Sequence, residues 1–211
     1  VQGNGGSVSR RGTNKTLETL RRTPLHDTHA DLGARMAPFG GWDMPLQYSG
    51  ILDEARAVRS KAGMFDVSHM GRVEIRGSGA AAFLSRVLSS DVSGLKVGRA
   101  RYGIICNLEG GIIDDAIVYR VSETLWMLIA NAGNKATVLN WLGYWRDERF
   151  PNAIITDSTD HLAMIALQGP DAAAVRCRSS DPPRPAVRFR AAFHPDPIGM
   201  RPRRHVAPVP R

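Results

Sequence analysis

Two adjacent carboxylates, Asp114 and Asp115, stand inside an otherwise apolar run, Ile112-Ile113-Asp114-Asp115-Ala116-Ile117-Val118-Tyr119. A carboxylate in such a run needs a partner or a task, because burying an unpaired charge is costly. A second strand-like run, Tyr102 to Cys106, precedes it across the turn residues Asn107 to Gly111. Two β-prone runs around such a turn predict a hairpin. Successive strand residues face opposite sides of a sheet, so Asp114 and Asp115 cannot share a face. One can be paired in structure while the other points into a pocket. The geometry allows only one of the two to do chemistry.

Other chemically able residues have blander readings. His69 follows a Ser-containing turn and is expected to be a hydrogen-bonded structural histidine. His26, Asp27 and His29 are metal-ligand types, but they lie in a loop without a third anchored ligand, and no metal site is expected. Gly110-Gly111 is a turn rather than a phosphate cradle, since no helix start follows. Cys106 is expected to behave as a small buried hydrophobe. Trp42, beside the pair Gly40-Gly41, is expected to be a packing anchor.

The elements that must hold these residues follow from period and punctuation. The section holding Pro38, Gly40, Gly41, Trp42 and Pro45 reads as turns rather than regular structure. Ile51, Leu52, Ala55, Val58 and Ala62 share one face of a predicted helix, with Ser49 as its N-cap and Gly63 as its stop. Arg72 to Gly77 alternates as a half-buried strand, and Ala80 to Leu88 reads as a helix buried through Phe83, Leu84, Val87 and Leu88. Val97 to Cys106 and Ile112 to Val121 form the hairpin, and Trp126 to Ala130 is a fully apolar strand. Residues 131–135 turn into a helix over about 136–149, with Val138, Leu139, Leu142 and Trp145 in register. Strands are expected over 153–156 and 162–167, and a helix from Asp171. Consecutive strands joined by short turns predict an α+β fold of antiparallel sheets with flanking helices.

Composition narrows the class. The chain has 211 residues, 43% of them hydrophobic, enough for a core. No apolar run approaches the ~20 residues of a membrane helix, so no membrane partner is expected. Two cysteines, Cys106 and Cys177, lie far apart in no metal-ligand spacing, which fits a reducing compartment. The formal charge of +8 is localised. Residues 176–211 hold nine Arg and two acids, so the other 175 residues are close to neutral. Residues 1–16 are expected to be a disordered extension, 17–175 the folded domain, and 176–211 a disordered Arg/Pro-rich tail. The amphipathic pattern breaks near Arg176, as it does when a GC-rich gene is read out of frame. DNA sequencing tests this: neither alternative frame continuing the helix after Val175 would sink it. The tail lacks aromatic interleaving, so no nucleic-acid partner is expected.

Five blocks carry a resemblance: Leu20-Arg21-Arg22-Thr23-Pro24-Leu25, Phe39 to Tyr48, Gly63 to Gly71, Tyr102 to Tyr119, and Leu167-Gln168-Gly169-Pro170. In order and spacing the chain resembles the aminomethyltransferases of the glycine cleavage system, the T-proteins, over residues 17–175. The resemblance implies the folate-binding T-protein fold, here incomplete. It implies transfer of the methylene from the aminomethyl-lipoyl arm of H-protein to tetrahydrofolate, with release of ammonia. It places the catalytic aspartate at Asp115, and folate-pocket residues at Met70, Tyr102, Tyr119 and Asn131. The partners it implies are lipoylated H-protein and tetrahydrofolate, acting on a monomer in the bacterial cytoplasm, with the mitochondrial matrix as the alternative compartment. Two further readings share the fold. One is the folate domain of a sarcosine- or dimethylglycine-oxidising enzyme. The other is a non-catalytic folate-binding protein of iron–sulfur assembly.

Overall fold

The longest apolar run lies at the centre of the main sheet. Leu125–Ala130 forms β8, and every one of its six residues is buried. In the computed structural model, which describes residues 19–178, β8 is flanked on both sides by antiparallel partners. The sheet has five strands in the order β6 (Ala100–Cys106), β7 (Ile112–Arg120), β8, β5 (Gly71–Arg76) and β9 (Ile154–Asp157). Every neighbouring pair is antiparallel. The expected extension 1–16 lies outside the described residues, as does the expected tail from residue 179 onward.

Helices α3 (Ala80–Val87) and α4 (Lys135–Arg149) cover one face of this sheet. Phe83, Leu84, Val138 and Leu142 pack there against Val73, Ile75, Val118 and Leu128 in one core cluster. Period 2 along the strands sends alternate residues to this face. The same period puts Tyr102 and Ile104, Asp115 and Ile117, and Arg72 on the other face.

Two smaller sheets complete the described fold. β3 (Trp42–Gln47) lies between β1 (Arg21–Arg22), parallel, and β2 (Arg35–Phe39), antiparallel. β4 (Gly63–Asp66) pairs antiparallel with β10 (Ile165–Gln168). Helices α1 (His26–Asp31), α2 (Ile51–Ser60) and α5 (Ala172–Arg178) connect these pieces. α5 runs three residues past the boundary expected at 175.

Two expectations are corrected. The Gly/Pro-rich section is a hairpin, β2–β3, because Gly40 and Gly41 both take positive φ and close a tight turn. Its prolines fall where no ladder donor is needed. Pro38 lies on the edge strand β2. Pro45 lies beside a register shift, beyond the two residues of β3 that β1 pairs. The N-cap of α2 is Gly50, not Ser49, and no side chain of the cap residue bonds there. The Glu54 carboxylate instead accepts the backbone N–H groups of Tyr48, Ser49 and Gly50 at 2.7, 2.8 and 2.9 Å. Those bonds, led by that from Gly50, hold Glu54 below the usual carboxylate range.

The apolar stripe of α2 forms as expected but is not covered: no residue of the helix is buried among the described residues. Ile51, Leu52, Met64 and Ile165 are all exposed.

Close packing at the α2–β10 junction rests on Gly169, whose φ is +114. A Cβ there would lie 2.5 Å from the carbonyl oxygens of both Val58 and Lys61. Gly169→Ala is expected to cost about 2 kcal/mol and to lower the melting temperature by about 4–8 °C in a thermal melt.

Candidate functional site

The sheet registers bring the sequence-derived residues to one end of the main sheet. Gly71 pairs with Ala130, Ala130 with Ala116, and Ala116 with Gly103. One residue further along each strand, the next row is Met70, Asn131, Asp115 and Ile104. Tyr102 lies on the same face as Asp115, opposite Ile117. Tyr119 shares that face but lies four residues along β7 from Asp115, roughly 13 Å away. Asp115, Asn131, Met70 and Tyr102 therefore gather at one end, and Tyr119 stands apart from them.

The two carboxylates occupy opposite environments. Asp114 is 4% exposed and lies on the helix-packed face. Its Oδ2 accepts the backbone N–H of Asn131 at 3.0 Å. Its Oδ1 accepts Asn131 Nδ2 at 2.7 Å and Asn134 Nδ2 at 3.1 Å. A buried carboxylate so bonded, at the start of α4, is electrostatically satisfied. Asp115 is exposed on the other face. Its Oδ1 accepts Asn131 Nδ2 at 2.9 Å. Partial desolvation, and then the nearby Asp115 carboxylate, push the Tyr102 phenol above its ordinary value. Burial pushes Tyr119 up.

Met70 is half-buried and fixed through its backbone. Arg72, 1% exposed, donates Nη1 to the carbonyls of Ser68, at 2.8 Å, and Met70, and Nη2 to the carbonyl of Thr159. Clean alternation along β5 made Arg72 read as an ordinary polar position, and no local signal marked it. The Asp114–Asn131–Asn134 cluster was also missed, although two asparagines just before a helix are a visible cue.

His69 differs from expectation. Its Nδ1 is buried without a hydrogen-bond partner, and its ring meets Phe39 edge-on at 5.3 Å between centroids. Burial pulls its pKa below the ordinary value and Arg72 adds to this, against the pull of Asp66. Cys106 is half-buried rather than buried. Trp42 is buried, with the Arg21 guanidinium 4.1 Å from its ring centroid. Two cavities of about 270 and 390 Å³ are lined by Arg86, Trp141 and Trp145, and by Arg120 and Trp126; neither includes Asp115. Asp115 is exposed at this end of the sheet, and its acceptor oxygens suit a ligand edge that carries N–H donors.

The profile of the GCVT N-terminal domain matches residues 25–191. The chain belongs to this family. It is 45% identical over 156 residues to an aminomethyltransferase of Symbiobacterium thermophilum, covering 74% of this chain and 42% of that protein. It is 48% identical over 162 residues to one of Deinococcus deserti, covering 76% of this chain and 45% of that protein. The crystal structure of the glycine cleavage system aminomethyltransferase T from Bartonella henselae superposes with a TM-score of 0.70 at 38% identity. That match covers 76% of this chain and 44% of the other. The chain thus spans a little under half the length of these relatives.

This GCVT domain also holds two histidines in carboxylate clamps. His26 is buried, with Nδ1 3.0 Å from Asp27 and Nε2 2.9 Å from Asp43. His29 Nε2 lies 3.0 Å from Asp66, and its Nδ1 lies 2.7 Å from the Tyr48 hydroxyl. Among the described residues, no cluster of three or more His, Cys, Asp or Glu is placed to hold a metal ion. Burial alone would raise Asp66, but the bonds from the Ser68 backbone N–H and the His29 ring outweigh it and hold the carboxyl below its usual range.

Carboxylates on both ring nitrogens favour the imidazolium, so Asp27 and then Asp43 raise the pKa of His26 above 6.5, against desolvation and Arg22. A raised folded value means the clamp stabilises fully below the unfolded value. That stability is lost as pH rises through the folded value. Melting temperature is therefore expected to fall from pH 6 toward pH 8.5, and His26→Gln is expected to flatten that slope. An unchanged slope in His26→Gln would show that another group sets it.

Proposed function

We propose that this chain carries the folate-facing part of a glycine cleavage system aminomethyltransferase, with Asp115 as its catalytic carboxylate. The observation that carries the reading is Asp115 itself. It is exposed within an apolar strand and held by Asn131, while its neighbour Asp114 is consumed by structure. The names of the relatives and of the solved neighbour favour this activity over the two folate-domain alternatives.

Tetrahydrofolate fits the residues present. Asp115 offers an acceptor to an N–H of the reduced pterin, and Tyr102, 51% exposed, offers a ring face beside it. Met70 supplies an unbranched thioether suited to a flat ring. When bound, tetrahydrofolate supplies the nitrogen that takes the methylene from the aminomethyl-lipoyl arm of H-protein. Asp115 then orients the attacking amine, and its negative charge stabilises the positive charge that grows on that nitrogen. The methylene ends bonded to two folate nitrogens, whose two N–H protons pass to the sulfur, which becomes a thiol, and to the amino group, which leaves as ammonia. The proposed partners are lipoylated H-protein and tetrahydrofolate, and the proposed compartment is the bacterial cytoplasm.

Isothermal calorimetry of the 211-residue chain with tetrahydrofolate tests the reading. Saturable one-to-one binding is expected. A folded chain that takes up no tetrahydrofolate would reduce the resemblance to ancestry.

A further inference from the structure

We propose that Asp114 is a positioning residue that, through the Asn131 amide, aims Asp115 and makes the Asn131–Asp115 pair a hydrogen-bond acceptor for a ligand. The inference rests on the folate reading for its ligand but stands on geometry of its own. Asn131 Nδ2 has two hydrogens. One goes to Asp114 Oδ1 at 2.7 Å and the other to Asp115 Oδ1 at 2.9 Å. The amide cannot turn over, because its oxygen would then face two carboxylates. Asp114 also accepts the Asn131 backbone N–H at 3.0 Å, so the residue is held at both ends. Asn134 Nδ2, at 3.1 Å, ties the same carboxylate to the start of α4. Asp115, by contrast, is exposed and has no backbone anchor beyond its own strand. Its rotamer is set by the Asn131 amide.

The chemical consequence concerns specificity. Both amide hydrogens of Asn131 are engaged. The Asn131–Asp115 pair therefore offers a ligand only Asn131 Oδ1 and the remaining lone pairs of Asp115, all acceptors. The pair selects a ligand edge that carries N–H groups or positive charge, and it disfavours an edge of carbonyls and bare ring nitrogens. Tetrahydrofolate has a hydrogen on N5 where folic acid has only a lone pair, so the reduced form is preferred. Asp114 sets this preference without touching the ligand.

Nitrogen-15 spectra and calorimetry on the full 211-residue chain test this. In the unaltered chain the Asn131 side-chain amide is expected to give two separate, slowly exchanging proton signals. In Asp114→Asn one carboxylate oxygen becomes a donor facing other donors. Both signals are then expected to move toward those of a free amide, and their exchange with water to quicken by about tenfold. Tetrahydrofolate binding is expected to weaken by about tenfold and its preference over folic acid to narrow. Rapid amide exchange in the unaltered chain overturns the proposal, and this arm holds even if Asp114→Asn fails to fold. A folded Asp114→Asn with unchanged amide signals overturns it too. So does a variant that melts lower but keeps the full preference for the reduced ligand, since a purely structural carboxylate would behave that way. If the unaltered chain binds no folate while its amide signals are slow and move and quicken in Asp114→Asn, the positioning role stands and the folate reading falls.

Discussion

Asp115→Asn is expected to leave the fold intact and to slow the proposed methylene transfer by about 10²–10³-fold. The substitution keeps the shape and keeps one carbonyl oxygen to accept the Asn131 amide. It removes the negative charge and one acceptor. Asp115 is exposed, so no buried group loses its partner. Ammonia released from aminomethyl-loaded H-protein, in single turnover with tetrahydrofolate, measures the loss. The fall should appear mainly in the turnover rate, with a smaller effect on folate affinity, because the charge matters most when the attacking nitrogen becomes positive. A melting temperature within about 2 °C of the unaltered chain is expected alongside, since exposed substitutions of this kind stay within about 0.5 kcal/mol. Full activity in Asp115→Asn would remove the residue from the chemistry and reopen the assignment of the sheet end.

The contrast between Asp114 and Asp115 was legible from the strand period alone, because a pleated strand sends neighbours to opposite faces whatever surrounds it. Which carboxylate is wet was not legible. That depends on α4, whose first turn brings Asn131 and Asn134 to Asp114, and on the position of that helix over one face. β8 and the β6–β7 hairpin were readable because a six-residue apolar run and a Gly-rich turn each admit few alternatives. The β2–β3 hairpin was not, because two prolines and two adjacent glycines read locally as loop. They are accommodated only through an edge position, a register shift and a β1 too short to pair beyond Asp43. α2 shows the opposite case. Its helix and its apolar stripe were both readable, yet Ile51 and Leu52 of the stripe stay exposed and Val58 is only half-buried. The relatives run to more than twice the matched length, so a stripe can be written in this segment for contacts lying outside it. Met64, 72% exposed on β4, fits the same pattern.

Arg72→Met is expected to destabilise the domain by about 3–5 kcal/mol and to lower its melting temperature by about 10 °C. The guanidinium is buried on the face opposite the helices and bridges two segments far apart in sequence. It donates to the Ser68 and Met70 carbonyls on one side and to the Thr159 carbonyl on the other. The backbone N–H of Arg72 adds a bond to Thr159 Oγ1 at 3.1 Å. Methionine fills much of the volume but leaves three buried carbonyls without donors, each carrying a desolvation cost. Burial pulls the guanidinium below its ordinary pKa, while Asp157, Asp160 and Asp66 oppose that pull. The charge thus survives by proximity to carboxylates as well as by direct bonds. Arg72→Lys keeps the charge, but one ammonium cannot span all three carbonyls, so an intermediate loss is expected. Urea unfolding of the three proteins ranks them, and a midpoint for Arg72→Met equal to that of the unaltered chain would show that the bridge carries no net stability. Gly169→Ala supplies the control for the site. It destabilises the α2–β10 junction and touches none of the site residues, so it should leave tetrahydrofolate affinity unchanged below its melting temperature. Arg72→Met releases the Met70 carbonyl, and Met70 stands in the same row as Asn131 and Asp115. It should therefore weaken tetrahydrofolate binding even where the protein remains folded.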